Sequence, residues 1–229
     1  LYKPIGMLVH SDAGHADHCL VNNLHAYLQQ KGDYHPEQEQ SFAPAICNRL
    51  DRNTEGLVLA AKDAATLREL NRLIRENRIQ KTYLCVLTAT PPKQTDILHA
   101  YHWKDAKTNT VTISDRPKTG YREIITKYRV LQQRNGLCLA EITLHTGRTH
   151  QIRAHMAYIG APLAGDSKYG DRRKNESLHL KHQLLCADRL QFHPDADSCL
   201  AYLNGKTVTA PLPDFVSRFF PTFSSKNRK

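Results

Sequence analysis

In NRLDRNTEGLVLAAK, residues 48–62, a single carboxylate, Asp51, stands between Arg49 and Arg52 just ahead of an apolar run. Two guanidiniums so near in sequence should keep it ionised at neutral pH, a state that suits a nucleophile or base better than an acid. A plain surface ion pair has the same pattern. A glycosidase would need a second carboxylate as acid partner, and Glu55 is the nearby candidate. The densest polar cluster is HTGRTHQIRAHMAYIGAPLAGDSKYG, residues 145–170, where Arg148, Thr149, His150, Gln151 and Arg153 crowd a glycine-preceded helix start. Free N–H groups and the helix dipole there favour an anion such as a phosphate, and a solvated basic turn is the plain alternative. Tyr83, in KTYLCVLTA, offers an aromatic face and a phenol, although a strand tyrosine is more readily a core aromatic.

Other chemistries find less support. His15 and His18, His99 and His102, and His179 and His182 have H-x-x-H spacing, but none has the cysteine or carboxylate companions of a zinc site, so no metal is expected. The chain has no G-x-x-x-x-G-K-[ST] or G-x-G-x-x-G loop, and no nucleotide cofactor is expected. Thirty-two Lys and Arg against 22 Asp and Glu give a formal net charge of +10, which suits a polyanionic partner. No apolar run is long enough to span a membrane and no signal-peptide pattern opens the chain. Six cysteines without a C-x-x-C pair fit a reducing compartment, and we expect a cytoplasmic monomer whose cysteines are small core residues.

The elements that must position these residues follow from periodicity. Leu20, Val21, Leu24, Tyr27 and Leu28 predict a helix from Ala16 to Lys31, stopped by Gly32, and residues 33–44 an exposed loop. LVLAA after Gly56 predicts one buried strand, and Asp63 caps a helix whose stripe is Leu67, Leu70 and Ile74. Residues 81–89 form the next strand, ended by Pro91-Pro92. REIITKYRVL and LCLAEITLH flank Asn135-Gly136, a hairpin signature. A helix should begin near Thr149 and end at Gly160. LLCADRLQF and TVTAPLP predict two more strands, DFVSRFF a short helix, and SSKNRK a disordered tail. Strands outnumber helices, so the expected class is α+β with a mainly antiparallel sheet flanked by helices.

Three stretches in order, NRLDRNTEGLVLAAK, KTYLCVL and TGRTHQIRAHMAYIGAPLAGDSKYG, together resemble the motifs of the RluA-type pseudouridine synthases. YKPIGMLVHS is similar to that family's first strand and turn, and QLLCADRLQFHP to a late strand. The resemblance spans Leu1 to about Pro213 and is nearest the branch acting on large-subunit ribosomal RNA. It departs at Asn48 (often His), Glu55 (usually Ser), Ser11 (often Pro) and Cys186 (often His). It implies the pseudouridine synthase fold, with a catalytic cleft across the sheet and a single catalytic domain over residues 1–229. An S4-type RNA-binding domain is expected upstream of the abrupt start at Leu1. The implied reaction isomerises uridine in structured RNA, ribosomal RNA before transfer RNA, without metal or cofactor. Asp51 would act at the ribose, Tyr83 would stack on the base and move a proton near C5, and Arg153 would orient Asp51 with Ile152 packing below the base. Arg49 would fill the space of a flipped base, while Arg52, Arg148, His150 and Gln151 would contact the RNA.

Overall fold

Asp63 ends an extended stretch by accepting the Thr66 N–H on Oδ1 at 2.8 Å, and the helix Ala64–Arg75 (α2, elements being numbered in chain order) starts at the predicted cap. The computed structural model describes residues 1–11, 18–38, 41–224 and 228. His15, the predicted helix start at Ala16 and most of the tail SSKNRK lie outside these. The chain divides into two compact units, Leu1–Gln80 with Arg189–Thr209, and Lys81–Asp188 with Ala210–Lys229.

In the first unit, helix α1 (Leu20–Lys31) buries Leu20, Leu24 and Leu28, and Gly32 ends it in the left-handed region at φ 72°. Tyr27 departs from the expected stripe. It is 52% exposed, with the Lys31 ammonium 5.9 Å from its ring centroid. Leu24 and Leu28 pack with Tyr34, Ile46 and Ala60. The strand expected from LVLAA is two strands. β3 (Glu55–Leu57) pairs with β1 (Tyr2–Lys3), and β4 (Ala60–Ala61) pairs with β2 (Ala45–Ile46). Between them the Val58 N–H bonds the Leu1 carbonyl at 2.9 Å and the Leu59 N–H bonds Asn48 Oδ1 at 2.7 Å. In α2 the fully buried pair is Leu70 and Leu73, while Leu67 and Ile74 are half-buried.

In the second unit the Asn-Gly hairpin forms as predicted. β8 (Arg122–Arg134) and β9 (Leu137–Leu144) join through Asn135 at φ 51° and Gly136 at φ 72°, the positive pair that matches strand twist. β9 also pairs with β5 (Ile79–Leu87), whose residues 82–87 are all buried. Two strands that the sequence reading omitted, β6 (Thr95–Asp105) and β7 (Thr110–Ser114), extend the order to β5-β9-β8-β6-β7, each pair antiparallel. Helix α3 spans Gln151–Tyr158, and Gly160 at φ 81° follows it as expected. α4 (Arg172–Ser177), capped by Asp171, was also unforeseen, and α5 (Asp214–Phe219) was expected. β10 (Leu185–Phe192) gives its first four residues to the second unit and Arg189–Phe192 to the first, where Arg189–Gln191 pairs with β11 (Thr207–Thr209).

The class is therefore α+β with mainly antiparallel strands, as predicted. Cys19, Cys85, Cys138 and Cys186 are buried, Cys47 is half-buried, and Cys199 is exposed, contrary to the core role expected of it. Among the described residues no helix is long and apolar enough to cross a membrane.

Candidate functional site

Asp51 lies half-buried on a turn whose own carbonyl accepts the Thr54 N–H at 3.0 Å. That turn is held from below by Lys3. The Lys3 side chain is fully buried, and its ammonium donates to the carbonyls of Pro4 at 3.0 Å, Met7 at 2.9 Å and Arg52 at 3.0 Å. Burial pushes this ammonium down to about 8, while the Asp51 and Glu55 carboxylates pull it back up. The Gly6 N–H bonds the Arg52 carbonyl at 3.0 Å, and Arg52 Nε returns a bond to the Gly6 carbonyl at 3.1 Å. Arg52, read as an RNA contact, is thus tied by one end to the β1 turn, although its side chain is exposed. Arg49 is exposed. Glu55, the second carboxylate, accepts the Tyr2 hydroxyl at 2.6 Å.

The second unit holds Tyr83 on β5 opposite Ile142 of β9, with the ring 7% exposed. Two residues earlier on the same strand is Lys81, whose ammonium lies 3.5 Å from where a Cβ on Gly147 would be. Burial lowers its proton affinity.

The 145–170 segment is organised by neutral polar groups. Gln151, buried at the first turn of α3, accepts from Thr146 Oγ1 and the Arg148 N–H on Oε1, each at 3.0 Å. Its amide donates to the Ile125 carbonyl at 3.2 Å and Thr126 Oγ1 at 3.0 Å. Thr126 Oγ1 also lies 2.9 Å from His155 Nδ1, and burial pushes His155 down to about 4, so the imidazole is neutral. From β6, the His102 Nε2–H donates to the Thr149 carbonyl at 2.9 Å. His150 takes the left-handed conformation at φ 52°. The Tyr169 hydroxyl accepts the Val111 N–H at 2.8 Å and lies 2.9 Å from His150 Nδ1. His150, Gln151 and Ile152, read as RNA contacts, are all buried, so their direct effect is on the shape of the turn. Arg148 is exposed on it.

Arg153 makes a buried ion pair. Its Nε and one terminal nitrogen donate to the two oxygens of Asp166 at 2.6 and 3.0 Å, a fork in which both partners are buried. Burial pushes the Asp166 carboxyl up, but bonds from Arg153 and from the Tyr169 and Lys168 amides outweigh it and hold it below the usual range. The guanidinium also sits 5.4 Å from the Tyr169 ring centroid. The loop carrying Asp166 is fixed by Asn175, which accepts the Gly165 N–H at 2.7 Å and donates to the Asp166 carbonyl at 3.0 Å. At Gly165, φ is +79° and a Cβ would stand 1.8 Å from the His182 carbonyl oxygen, so no other residue fits.

Sequence reasoning missed Lys3, Asp166, Tyr169 and His155 as contributors. All four lay inside quoted stretches, but residue type did not single them out, and the Lys3 ammonium bonds backbone carbonyls. Of the histidine pairs, His99 and His102 fall on opposite faces of β6, three residues apart. Among the described residues no group of three His, Cys, Asp or Glu is arranged to hold a metal ion.

Residues 1–158 match the family model described as RNA pseudouridylate synthase. An RNA pseudouridine synthase of Chloroflexus aurantiacus is 35% identical over 215 residues, 92% of this chain and 62% of the relative. One from Bacillus subtilis is 34% identical over 215 residues, 93% and 65% respectively. Ribosomal large subunit pseudouridine synthase C of Vibrio cholerae is 31% identical over 204 residues, 87% and 60%. The chain thus spans under two thirds of the length of these relatives. Among solved structures, human RNA pseudouridylate synthase domain containing 4 superposes with a TM-score of 0.71 at 20% identity, covering 93% of this chain and 85% of that one. The fold agrees, and the matched stretch carries both Asp51 and Arg153, so the chain belongs to the RNA pseudouridylate synthase family.

Proposed function

We propose that this chain isomerises uridine to pseudouridine in structured RNA, with large-subunit ribosomal RNA as the substrate class. The observation that carries the reading is Asp51: within the family match, this carboxylate stands on a turn clamped by a fully buried lysine, while Glu55, the other carboxylate of the motif, accepts the Tyr2 hydroxyl. The reaction breaks the N1–C1′ glycosidic bond, turns the uracil and rejoins it through C5, with composition and redox state unchanged. Asp51 acts at the ribose, by attack at C1′ or by assisting loss of the C2′ proton. Tyr83 stacks on the base and transfers the proton near C5. Arg153, preorganised by its fork to Asp166, supplies the fixed positive charge that orients the carboxylate.

A uridine in folded RNA must leave its stack first, at a cost of a few kcal/mol. Arg49, exposed and planar, fills the vacated space, while exposed Arg148 and surrounding lysines hold the backbone and buried His150 braces their turn. Gln151 and Ile152 shape the turn that presents them. The name of the Vibrio cholerae relative favours large-subunit ribosomal RNA, and the basic balance of +10 fits any such polyanion. The test is to map pseudouridine in ribosomal and transfer RNA from cells with and without this protein. Loss of sites in large-subunit RNA is the expected result. Loss confined to transfer RNA would move the substrate, and unchanged maps would refute the activity.

A further inference from the structure

The second unit carries an exposed aromatic pair that the reaction does not use. On β6, the His102 ring turns inward to the Thr149 carbonyl, so by strand alternation its neighbour Trp103 stands on the opposite face of the sheet. Trp103 is 41% exposed. Tyr121 lies beside it with ring centroids 6.3 Å apart and planes inclined by 21°. The turn that brings Tyr121 there closes with a 3.0 Å bond from its N–H to the Lys118 carbonyl. Gly120, at φ +80°, occupies the position where such a turn needs glycine, and a Cβ there would be 3.9 Å from Trp103 Cδ1. Lys118 places its ammonium 5.6 Å from the Tyr121 ring centroid. Residues 99–122 hold five Lys and Arg, all exposed, against two Asp; Lys104 and Arg122 fall on the His102 face, by alternation and by the His102–Arg122 pairing, which leaves the loop residues Lys107, Arg116 and Lys118 to rim the Trp103 side. One of those acids, Asp105, is engaged by the Lys107 and Thr108 amides in the β6–β7 turn.

Parallel aromatic planes with a solvent-facing ring and a cationic rim are what an unpaired nucleobase needs: stacking for the base, lysine and arginine for its phosphate. An apolar protein segment would have no use for such a cationic rim. We infer that Trp103 and Tyr121 form an accessory RNA-binding site, on the sheet face away from the Arg148 turn, which stacks one unpaired base of a single-stranded segment of the substrate RNA. The inference rests on the RNA substrate proposed above but not on isomerisation.

Trp103 is the only tryptophan of the chain, so its emission reports this site alone. The experiment titrates the intact protein carrying Asp51→Asn, which holds RNA without turnover, with short oligouridylate and, separately, with base-free polyphosphate at equal charge. Saturable quenching by oligouridylate but not by polyphosphate is expected. Trp103→Leu and Tyr121→Leu, each checked for folding by circular dichroism and titrated by the anisotropy of dye-labelled oligouridylate, since Trp103→Leu leaves no tryptophan to follow, should each weaken binding roughly five- to hundredfold and leave the slope of log K against log[salt] unchanged. Quenching by polyphosphate to the same extent would reduce the site to ionic contact and overturn the stacking. Emission that is already blue-shifted in the intact protein and silent to saturating RNA would assign the face to a protein segment, and overturn it too. Parent-like affinity in both folded variants would do the same. Because binding is read without turnover, a failed isomerase assay leaves these outcomes untouched.

Discussion

The Asp51 turn and the 146–170 arm are both rigid, and they are made rigid by opposite means. At Asp51 the fixing group is one buried cation, Lys3, that gathers three backbone carbonyls, while the arginines next in sequence are exposed. In the arm a neutral amide, a neutral imidazole and a buried Arg153–Asp166 fork do the holding. The difference teaches that closeness in sequence did not decide which cation braces the Asp51 turn: Arg52 spends its Nε–H on Gly6, and the lysine that clamps the turn is 48 positions before Asp51.

The comparison breaks first at the fork. Asp166→Ala leaves the Arg153 guanidinium buried without its carboxylate and should cost about 3–5 kcal/mol in urea unfolding. Replacing both residues by leucine should recover much of that loss, because no lone charge is left behind. A small effect of the single change would mean the pair is far more hydrated than its burial indicates.

The two buried bases should reveal themselves in different pH windows. Lys3 has a folded value of about 8 against an ordinary 10.5, so between these the unfolded state binds more protons and stability rises with pH. The gain, on the order of 3 kcal/mol, should vanish in Lys3→Met. His155 is held near 4 against 6.5, so the unfolded state again binds more protons between those values. There stability falls as the solution is acidified, by a similar amount, and His155→Phe should flatten that fall. Difference curves of variant minus parent, from thermal unfolding across pH 4–11, isolate each group. A slope of opposite sign in either window would contradict the burial assigned to it.

A smaller effect is expected at Gln151→Leu, which strands the Arg148 N–H, while the Ile125 carbonyl keeps its bond from the His145 N–H. Stability should drop by about 1–3 kcal/mol, and RNA affinity should fall with it because the turn loosens. The smallest change in stability belongs to exposed Arg148. Arg148→Ala should move stability by less than about 0.5 kcal/mol yet lower the slope of log K against log[salt] by about 0.7–0.9, one phosphate contact. An unchanged slope would remove Arg148 from the RNA-binding surface.

What was legible in the sequence follows from how local its cause is. Asn135-Gly136, Gly32, Gly160 and Asp63 each impose a backbone conformation or cap within a few residues, and all fell where expected. Strands β6 and β7 went unseen because TDILHAYHWKD mixes aromatic, imidazole and charged side chains on a face left open to solvent. Their connection uses Asn109 at φ 50° and an Asp105 side-chain bond rather than an Asn-Gly pair. LVLAA read as one strand because its apolar residues are continuous, whereas the break after Leu57 comes from Asn48 and Leu1 capturing the next two amides. For the proposed site, residue types singled out Asp51 and the arginines, and the family resemblance added Tyr83. The supports were hidden because Lys3 bonds carbonyls, which every residue has, and Asp166 reaches Arg153 from 13 positions away.

The most direct test of the proposed chemistry is Asp51→Asn, measured by tritium release from C5-labelled uridine in target RNA, with RNA affinity and thermal unfolding followed alongside. The substitution keeps the side chain's size and removes its charge. Turnover should fall by several orders of magnitude, beyond the roughly 10²–10⁴-fold attributed to a positioned acid or base, while RNA affinity holds or rises slightly and the protein stays folded. A folded, RNA-binding Asn variant that released tritium within about tenfold of the parent rate, a barrier change under about 1.4 kcal/mol, would contradict the role at the ribose and leave Asp51 as an electrostatic neighbour of Lys3.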